Sequence, residues 1–461
     1  MVSELGACIL WALAGAMLGA AGPEEVGQVR HEDGYRGIWF ELGQKSEYGD
    51  KYSGGLGTYT AKHVPLAFYA PGAEKTFFVW GGTIEGGQHL LLMAGCYDHR
   101  TGMVSRPVVV HDKQGVTDPH DNPSICLDKR GHVWVFVAGR ATVRDGYKYR
   151  SREPYSIEGF DLVEVHKGMC YPQPWTVEGQ GILLLFTKYT AGRELYWQTS
   201  ADGRAWGQES KLAGFGGHYQ VSWHCDGRVI TAFNWHKDGR PDNRSNLYFL
   251  QTDDLGRTWK TAAGQPVETP LTEVINPALV RDYHAEGRLV YMKDVNFDAD
   301  GAPVILHVTS PYHRPGPHAA DREWVTARWT GFEWEFRALA KAWHNYDMGS
   351  LYVEPDGAWR VIAPTEVGPQ KWGTGGEVAM WLSRDKGATW DKVRDLTAGS
   401  QRNHTYVRRP VNAHPDFYAF WADGNPDGFS ESRLYFATRD GDVFMLPPSM
   451  EGDWAKPVPL K

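Results

Sequence analysis

Residues 246–259 read NLYFLQTDDLGRTW: an alternating apolar strand that runs directly into Thr252-Asp-Asp-Leu-Gly-Arg-Thr-Trp259. The same order recurs. ELYWQ precedes Thr199-Ser-Ala-Asp-Gly-Arg-Ala-Trp206, and VAMWLS leads into Ser383-Arg-Asp-Lys-Gly-Ala-Thr-Trp390. A fainter copy is RLYFA followed by Thr438-Arg-Asp-Gly441. The turn chemistry is local. Asp accepts turn N–H groups, Gly takes the positive-φ position, and Trp packs against a neighbouring unit.

This turn resembles the Asp-box, S/T-x-D-x-G-x-T-W, of sialidase-type propellers. Asp-boxes are structural, so their aspartates are poor catalytic candidates. A second repeat opens each unit with a short apolar strand. These are VPLAFY (64–69), NPSICL (122–127), YPQPW (171–175), YQVSW (219–223), NPALV (276–280), GSLYV (349–353) and TYVRRPV (405–411). Seven units at intervals of roughly 47 to 70 residues fit four-stranded blades. The expected fold is an all-β, seven-bladed propeller in which these segments are the innermost strands. YRGIWFEL (35–42) would complete the last blade and close the ring. No linker divides the array, so residues 23–461 read as a single domain.

Composition agrees. The 461 residues include 20 Trp and 53 Gly, with 13% aromatics, as short strands joined by tight turns require. The net charge of -8 argues against a broad basic nucleic-acid surface. The apolar run from Ala7 to Ala21 is short for a membrane span and ends in small residues. It reads as a secretory signal over residues 1–22, implying a secreted or periplasmic protein. Cys96, Cys126, Cys170 and Cys225 fit no zinc motif, and any disulfide pairing among them stays open.

Five of the seven opening strands follow a histidine: His63, His120, His218, His344 and His404. Inner strands of a propeller run parallel along the channel, so their starts gather on one face. The histidines are therefore expected to converge at one channel mouth, with Tyr171 and Asn276 at the other two blades. Histidine suits proton transfer and metal binding alike. A lone histidine near a strand end is more often a capping or surface residue, but recurrence at one blade position favours a shared site. Arg140, Lys188, Tyr189, Arg193, Asp347, Glu366, Arg408 and Arg409 fall near the same level of the repeat. For each charged residue, the bland alternative is a solvent-facing ion pair.

YSGGLGTYTAKHVPLAFY, KTFFVWGGT, DPHDNPSICLDKRGHVWVFVAGR, LLLFTKYTAGRELYW and HYQVSW together resemble the BNR-4 group of propellers. That group includes ulvan lyases and enzymes acting on rhamnose linked to glucuronate, some described as α-L-rhamnosidases. The resemblance implies β-elimination beside a uronate in an anionic polysaccharide or oligosaccharide. An arginine neutralises the carboxylate while His and Tyr exchange protons. Carried over by motif, His120 of HDNP and Tyr189 of FTKYT are the catalytic pair, and His63 of AKHVP is a competing catalytic choice. Arg140 and Arg193, with His218, His344 and His404, are the expected substrate-binding residues. One departure stands out: Arg140 occupies the place of a second catalytic histidine in ulvan-lyase-like members, replacing a titratable base by a fixed cation.

Two other readings remain open. One is a hydrolase releasing terminal rhamnose through His63, Asp347 or Glu366, although no flanking pair of carboxylates is evident. The other is a carbohydrate-binding propeller without catalysis. No cofactor is required; the histidine ring is compatible with a structural zinc, and channel carboxylates or carbonyls with Ca²⁺. A monomer is expected, with no nucleic-acid or membrane partner.

Overall fold

The computed structural model describes residues 29–56, 63–319 and 321–460; the expected signal over 1–22 lies outside them. Seven antiparallel sheets of four or more strands follow one another along the chain. Their first strands are Ala67–Ala70, Pro123–Leu127, Cys170–Val177, Gln220–Cys225, Leu289–Phe297, Ser350–Val353 and Asn403–Arg408. Six coincide with the opening segments read from the sequence. Each blade then runs outward, as in the third: Cys170–Val177, Gly181–Tyr189, Arg193–Ser200 and Ser210–Ala213. No helix among the described residues is long and apolar enough to cross a membrane.

The fifth opening strand needs correction. In NPALV, Leu279–Arg281 pairs with the third strand of blade four, through Leu247↔Arg281 and Tyr248↔Leu279. Asn276 makes a local turn there, its Oδ1 accepting from Ala278 N at 2.9 Å. The true inner strand, Leu289–Phe297, carries Lys293, Asp294 and Asn296 through its centre. These buried polar residues face channel partners. Lys293 Nζ donates to Asn345 O at 2.6 Å, and Asn296 Nδ2 donates to Leu351 O at 3.0 Å. They interrupt the apolar run that marks inner strands elsewhere.

The Asp-box turns hold as their chemistry predicts. Thr252 Oγ1 accepts from Gly256 N at 2.8 Å, and Asp254 Oδ1 accepts from Thr258 N at 2.9 Å. Gly203 has φ +79°, and a Cβ there would meet the Trp134 ring of the preceding blade at 2.4 Å. Side-chain size is thus excluded by conformation and by contact. Among the described residues eight tryptophans are fully buried, Trp134 and Trp175 among them. Trp175 satisfies its indole N–H on Ser222 Oγ at 2.7 Å while its ring meets Trp223 edge-on at 5.3 Å, joining blades three and four.

The ring closes at one seam. Gly37–Glu41 pairs with Ser430–Ser432 and bridges to Gly82 of blade one. The N-terminal strand thus links the last blade to the first and closes the ring, as expected from YRGIWFEL. Two C-terminal segments add to the closure. Trp454–Ala455 pairs with blade one and Val458–Pro459 with blade seven. Cys96, Cys126, Cys170 and Cys225 are all free thiols.

Candidate active site

The hairpin of blade three sets the first part of the site. Tyr189 ends its second strand and Arg193 begins its third, and the two are register partners. Side chains directly opposite on neighbouring strands share a face, so Arg193 reaches the tyrosine. Arg193 Nε donates to the Tyr189 hydroxyl at 3.1 Å. Arg140, from the loop after the second strand of blade two, donates to the same oxygen from Nη1 at 2.9 Å. One phenol oxygen thus lies between two guanidiniums.

The second part is the turn Asp118-Pro119-His120-Asp121 ahead of blade two. Asp118 caps this short 3-10 turn, its Oδ1 accepting from His120 N at 3.0 Å. The same carboxylate accepts from Nδ1 of the His120 ring. Arg144 ties the turn down, donating to Asp118 Oδ2 at 2.8 Å and to Asp121 Oδ1 at 2.7 Å. Buried Lys113 adds a 2.9 Å ion pair with Asp121. Arg140 Nε lies 3.5 Å from Asp118 Oδ2 and so connects the dyad to the tyrosine.

His63 joins from the loop before blade one. Its Nε2 donates to the His120 carbonyl at 3.1 Å, and its buried Nδ1 has no partner among the described residues. Tyr171 packs among these groups, with ring centroids 5.6 Å from His63, 5.9 Å from His120 and 5.7 Å from Tyr219. Its φ of +52° is uncommon for an aromatic residue. A register shift between Cys170 and Gln173 accommodates it. Beyond Tyr219, the Arg244 guanidinium lies 4.8 Å from the Tyr219 and Tyr291 rings and 5.1 Å from Tyr346. Tyr52 continues the belt, its hydroxyl donating to Asp242 at 2.7 Å, and Lys51 pairs with the same carboxylate.

The structure therefore brings together His63, His120, Arg140, Tyr189 and Arg193. It does not bring in the other three histidines. His218 is buried, with Nδ1 on Asn234 O at 2.9 Å and Nε2 accepting from Phe215 N at 3.2 Å. His404 is held between Ser400 Oγ at 3.0 Å and Trp421 Nε1 at 3.1 Å. His344 is buried, and its Nδ1 accepts from Tyr346 N at 3.2 Å. Each braces its own blade, so the expected convergence of five histidines is corrected to a pair, His63 and His120. Asp347 is a buried turn holder, accepting from Gly375 N and His344 N at 2.8 Å each. Glu366 lies on the second strand of blade six and faces Lys392 at 3.4 Å. Lys188 pairs with Glu209. Arg408 and Arg409 are buried in the channel, where Arg409 stacks 3.5 Å over Trp223.

Asp118, Arg144, Tyr219 and Arg244 are missing from the expected site residues. Asp118 had a usable signal, since an aspartate two residues before a histidine, with proline between, is a capping pattern. Arg244 had none, because its three rings come from three different blades.

The electrostatics assign protonation states. Burial opposes a charge on Asp118, but the His120 and Arg144 hydrogen bonds hold its carboxyl below the usual range. Burial also pushes His120 down, against the pull of Asp118. The dyad is thus a carboxylate and a neutral imidazole. A carboxylate only accepts, so Nδ1 carries the proton and Nε2 the lone pair. Burial pushes Tyr189 up, with Tyr219 adding to it, although Arg193 and Arg140 pull the other way. Tyr189 is a neutral phenol at pH 7. His63 falls to about 3 by burial and stays neutral.

A model of the BNR repeat-containing family matches residues 97–342, more than half the sequence. The chain belongs to this family. No curated protein matches it. Among solved structures, the BNR-repeat chain is similar to a PL25 ulvan lyase at a TM-score of 0.69 and 14% identity, covering 89% of this chain and 96% of that one. The same lyase bound to -[GlcA(1-4)Rha3S]- aligns at 0.68 and 14%, with the same coverage. Polysaccharide lyase Uly1 aligns at 0.60 and 13%, covering 91% and 99%. At such identities the likeness is one of fold.

Chemically, the BNR-repeat propeller presents a lone-pair nitrogen, a protonated phenol and two fixed cations in one cluster. A base, an acid and an anion receptor are what removal of a proton beside a carboxylate requires.

Proposed function

We propose that this protein is a secreted polysaccharide lyase that cleaves beside a uronate in a rhamnose- and glucuronate-containing glycan by β-elimination. The observation that carries the reading is the Tyr189 hydroxyl held by Arg140 and Arg193 at 2.9 and 3.1 Å, linked through Arg140 to the Asp118–His120 dyad. Arg140 and Arg193 receive the uronate carboxylate and stabilise the charge that grows on it as C5 loses its proton. His120 Nε2 takes that proton. The C5–H electrons form the C4–C5 double bond, the bond from C4 to the glycosidic oxygen breaks, and Tyr189 protonates the departing oxygen. The resulting phenolate is stabilised by the same guanidiniums, and proton exchange with solvent resets both groups.

Hydrolysis fits less well. Asp118 and Asp121, the carboxylates of the catalytic cluster, are both tied to arginine, lysine or histidine. A hydrolase needs a flanking pair able to act as acid and as nucleophile or base. Support for a glucuronate–rhamnose substrate comes from the fold likeness to a lyase bound to -[GlcA(1-4)Rha3S]-.

The test is a time course of ultraviolet absorbance and released sugar on ulvan and on a rhamnose-capped arabinogalactan. New absorbance from a 4,5-unsaturated uronate is expected. Free rhamnose without absorbance would replace the lyase by a hydrolase acting through His63. Binding without either product would leave a carbohydrate-binding propeller.

A further inference from the structure

Away from the channel mouth, His99, His414 and Asp416 come together where the last blade meets the first. His99 follows the third strand of blade one, Leu91–Asp98; His414 and Asp416 lie in the loop between the first two strands of blade seven. One ligand atom from each lies within 4.8 Å of the others. The two imidazoles pack at 3.9 Å between centroids, with Tyr69 and Tyr97 rings against His99 at 5.0 and 4.8 Å. We propose that these three residues bind a transition-metal ion, Zn²⁺ by donor type, that clasps the seam closing the propeller ring.

Two independent observations carry this beyond a chance cluster. The His99 side chain is only 4% exposed, yet its Nδ1 has no hydrogen-bond partner among the described residues and lies 3.9 Å from Asp416 Oδ2. A buried ring nitrogen without a partner needs an explanation, and an absent cation supplies one. Its other nitrogen is already oriented. Nε2 meets the buried Thr76 Oγ1 at 2.8 Å, the outer-shell contact that fixes a ligating imidazole. With Nε2–H on Thr76, Nδ1 directs its lone pair at the carboxylate.

Two imidazoles and one carboxylate suit zinc and disfavour the oxygen-seeking Ca²⁺ and Mg²⁺. Tetrahedral zinc at about 2.0–2.1 Å spaces its ligands about 3.3 Å apart, with water completing the set. Asp416 is 57% exposed and His414 28%, so those two side chains can close the remaining gap around the fixed His99. The backbone around them already joins the blades. Tyr69 N donates to Val411 O at 2.8 Å, and Val411 N to Ala67 O at 2.9 Å. An ion there would lock a seam otherwise held by hydrogen bonds and packing.

The experiment titrates the tag-free, chelator-stripped full chain with Zn²⁺ by calorimetry and follows the melting temperature. One ion per chain and a melting temperature that climbs with free Zn²⁺ are expected, with no response to Ca²⁺ or Mg²⁺. His414→Ala and Asp416→Asn change a partly exposed and an exposed side chain and should keep the far-ultraviolet circular dichroism of the wild type while losing both responses. Co²⁺ should give the visible bands of a four-coordinate nitrogen–oxygen site in the wild type alone. Failure of the wild type to take up Zn²⁺, or undiminished uptake by His414→Ala, would overturn the site.

Discussion

Tyr189 and Arg193 face one another as partners across a β-hairpin, with the arginine Nε 3.1 Å from the phenol oxygen. The spacing is built into the strands, so neither side chain depends on a loop to find the other. Tyr189→Phe keeps the ring and removes only the hydroxyl. Turnover of the proposed glucuronate–rhamnose substrate should fall by about 10²–10⁴, the usual worth of a positioned proton donor. Binding of the polymer should stay within a few-fold. Unsaturated product forming at near wild-type rate would remove Tyr189 from the chemistry.

Asp118 fixes the tautomer of His120. Burial depresses the imidazole while Asp118 raises it. The proposed lyase activity should therefore fall at low pH on a limb lying below the usual histidine value, because protonation would destroy the proposed base. Asp118→Asn removes the raising partner, so that limb should move still lower while the maximal rate drops. An unchanged limb in Asp118→Asn, with the rate also unchanged, would separate the dyad from catalysis.

Arg140 grips the tyrosine oxygen through one nitrogen and approaches Asp118 with another. Lysine offers a point charge without the planar fork. Arg140→Lys should raise KM and lower kcat together, by more than tenfold in kcat/KM, with the fold intact by circular dichroism. A purely structural ion pair would instead lower the melting temperature and leave kinetics alone.

Several buried histidines make the fold sensitive to acid. Burial holds His218 at about 4, and His63 and His307 at about 3, against about 6.5 for a histidine in water. The unfolded chain binds these protons first, so stability is full above about pH 6.5 and is lost as pH falls toward 4. Each such histidine costs about 1.4 kcal/mol per pH unit within that window. Urea midpoints should drop steeply from about pH 7 to about pH 5, and a flat profile would contradict the burial.

Gly203→Ala should destabilise the protein by about 1–3 kcal/mol through its left-handed backbone and the contact with Trp134. Denaturation against wild type measures this. A neutral effect would mean that blade two can yield to the turn.

Much of the architecture was legible because the Asp-box turn and the opening strands are local signals repeated blade after blade. Blade five hid itself, since Lys293, Asp294 and Asn296 break its inner strand with polar residues whose partners come from blade six. NPALV looked equivalent to NPSICL, but its strand is short, half-exposed and added to an edge. His120, Tyr189 and their arginines could be picked out by motif. The other three histidines could not be sorted, because what a ring nitrogen meets depends on residues up to 30 positions away, as His344 with Thr374 illustrates.

Arg140, Arg144, Arg193, Arg244 and Lys51 gather around the channel mouth of a chain whose net charge is -8. An acidic polymer would thus meet two fields of opposite sign. At long range the whole molecule repels it; within the last few ångströms the guanidiniums draw it in. Ions in solution screen the distant field before the close one, since buried charges are shielded least. Moderate salt would then speed capture of the proposed substrate, and only concentrated salt would slow it.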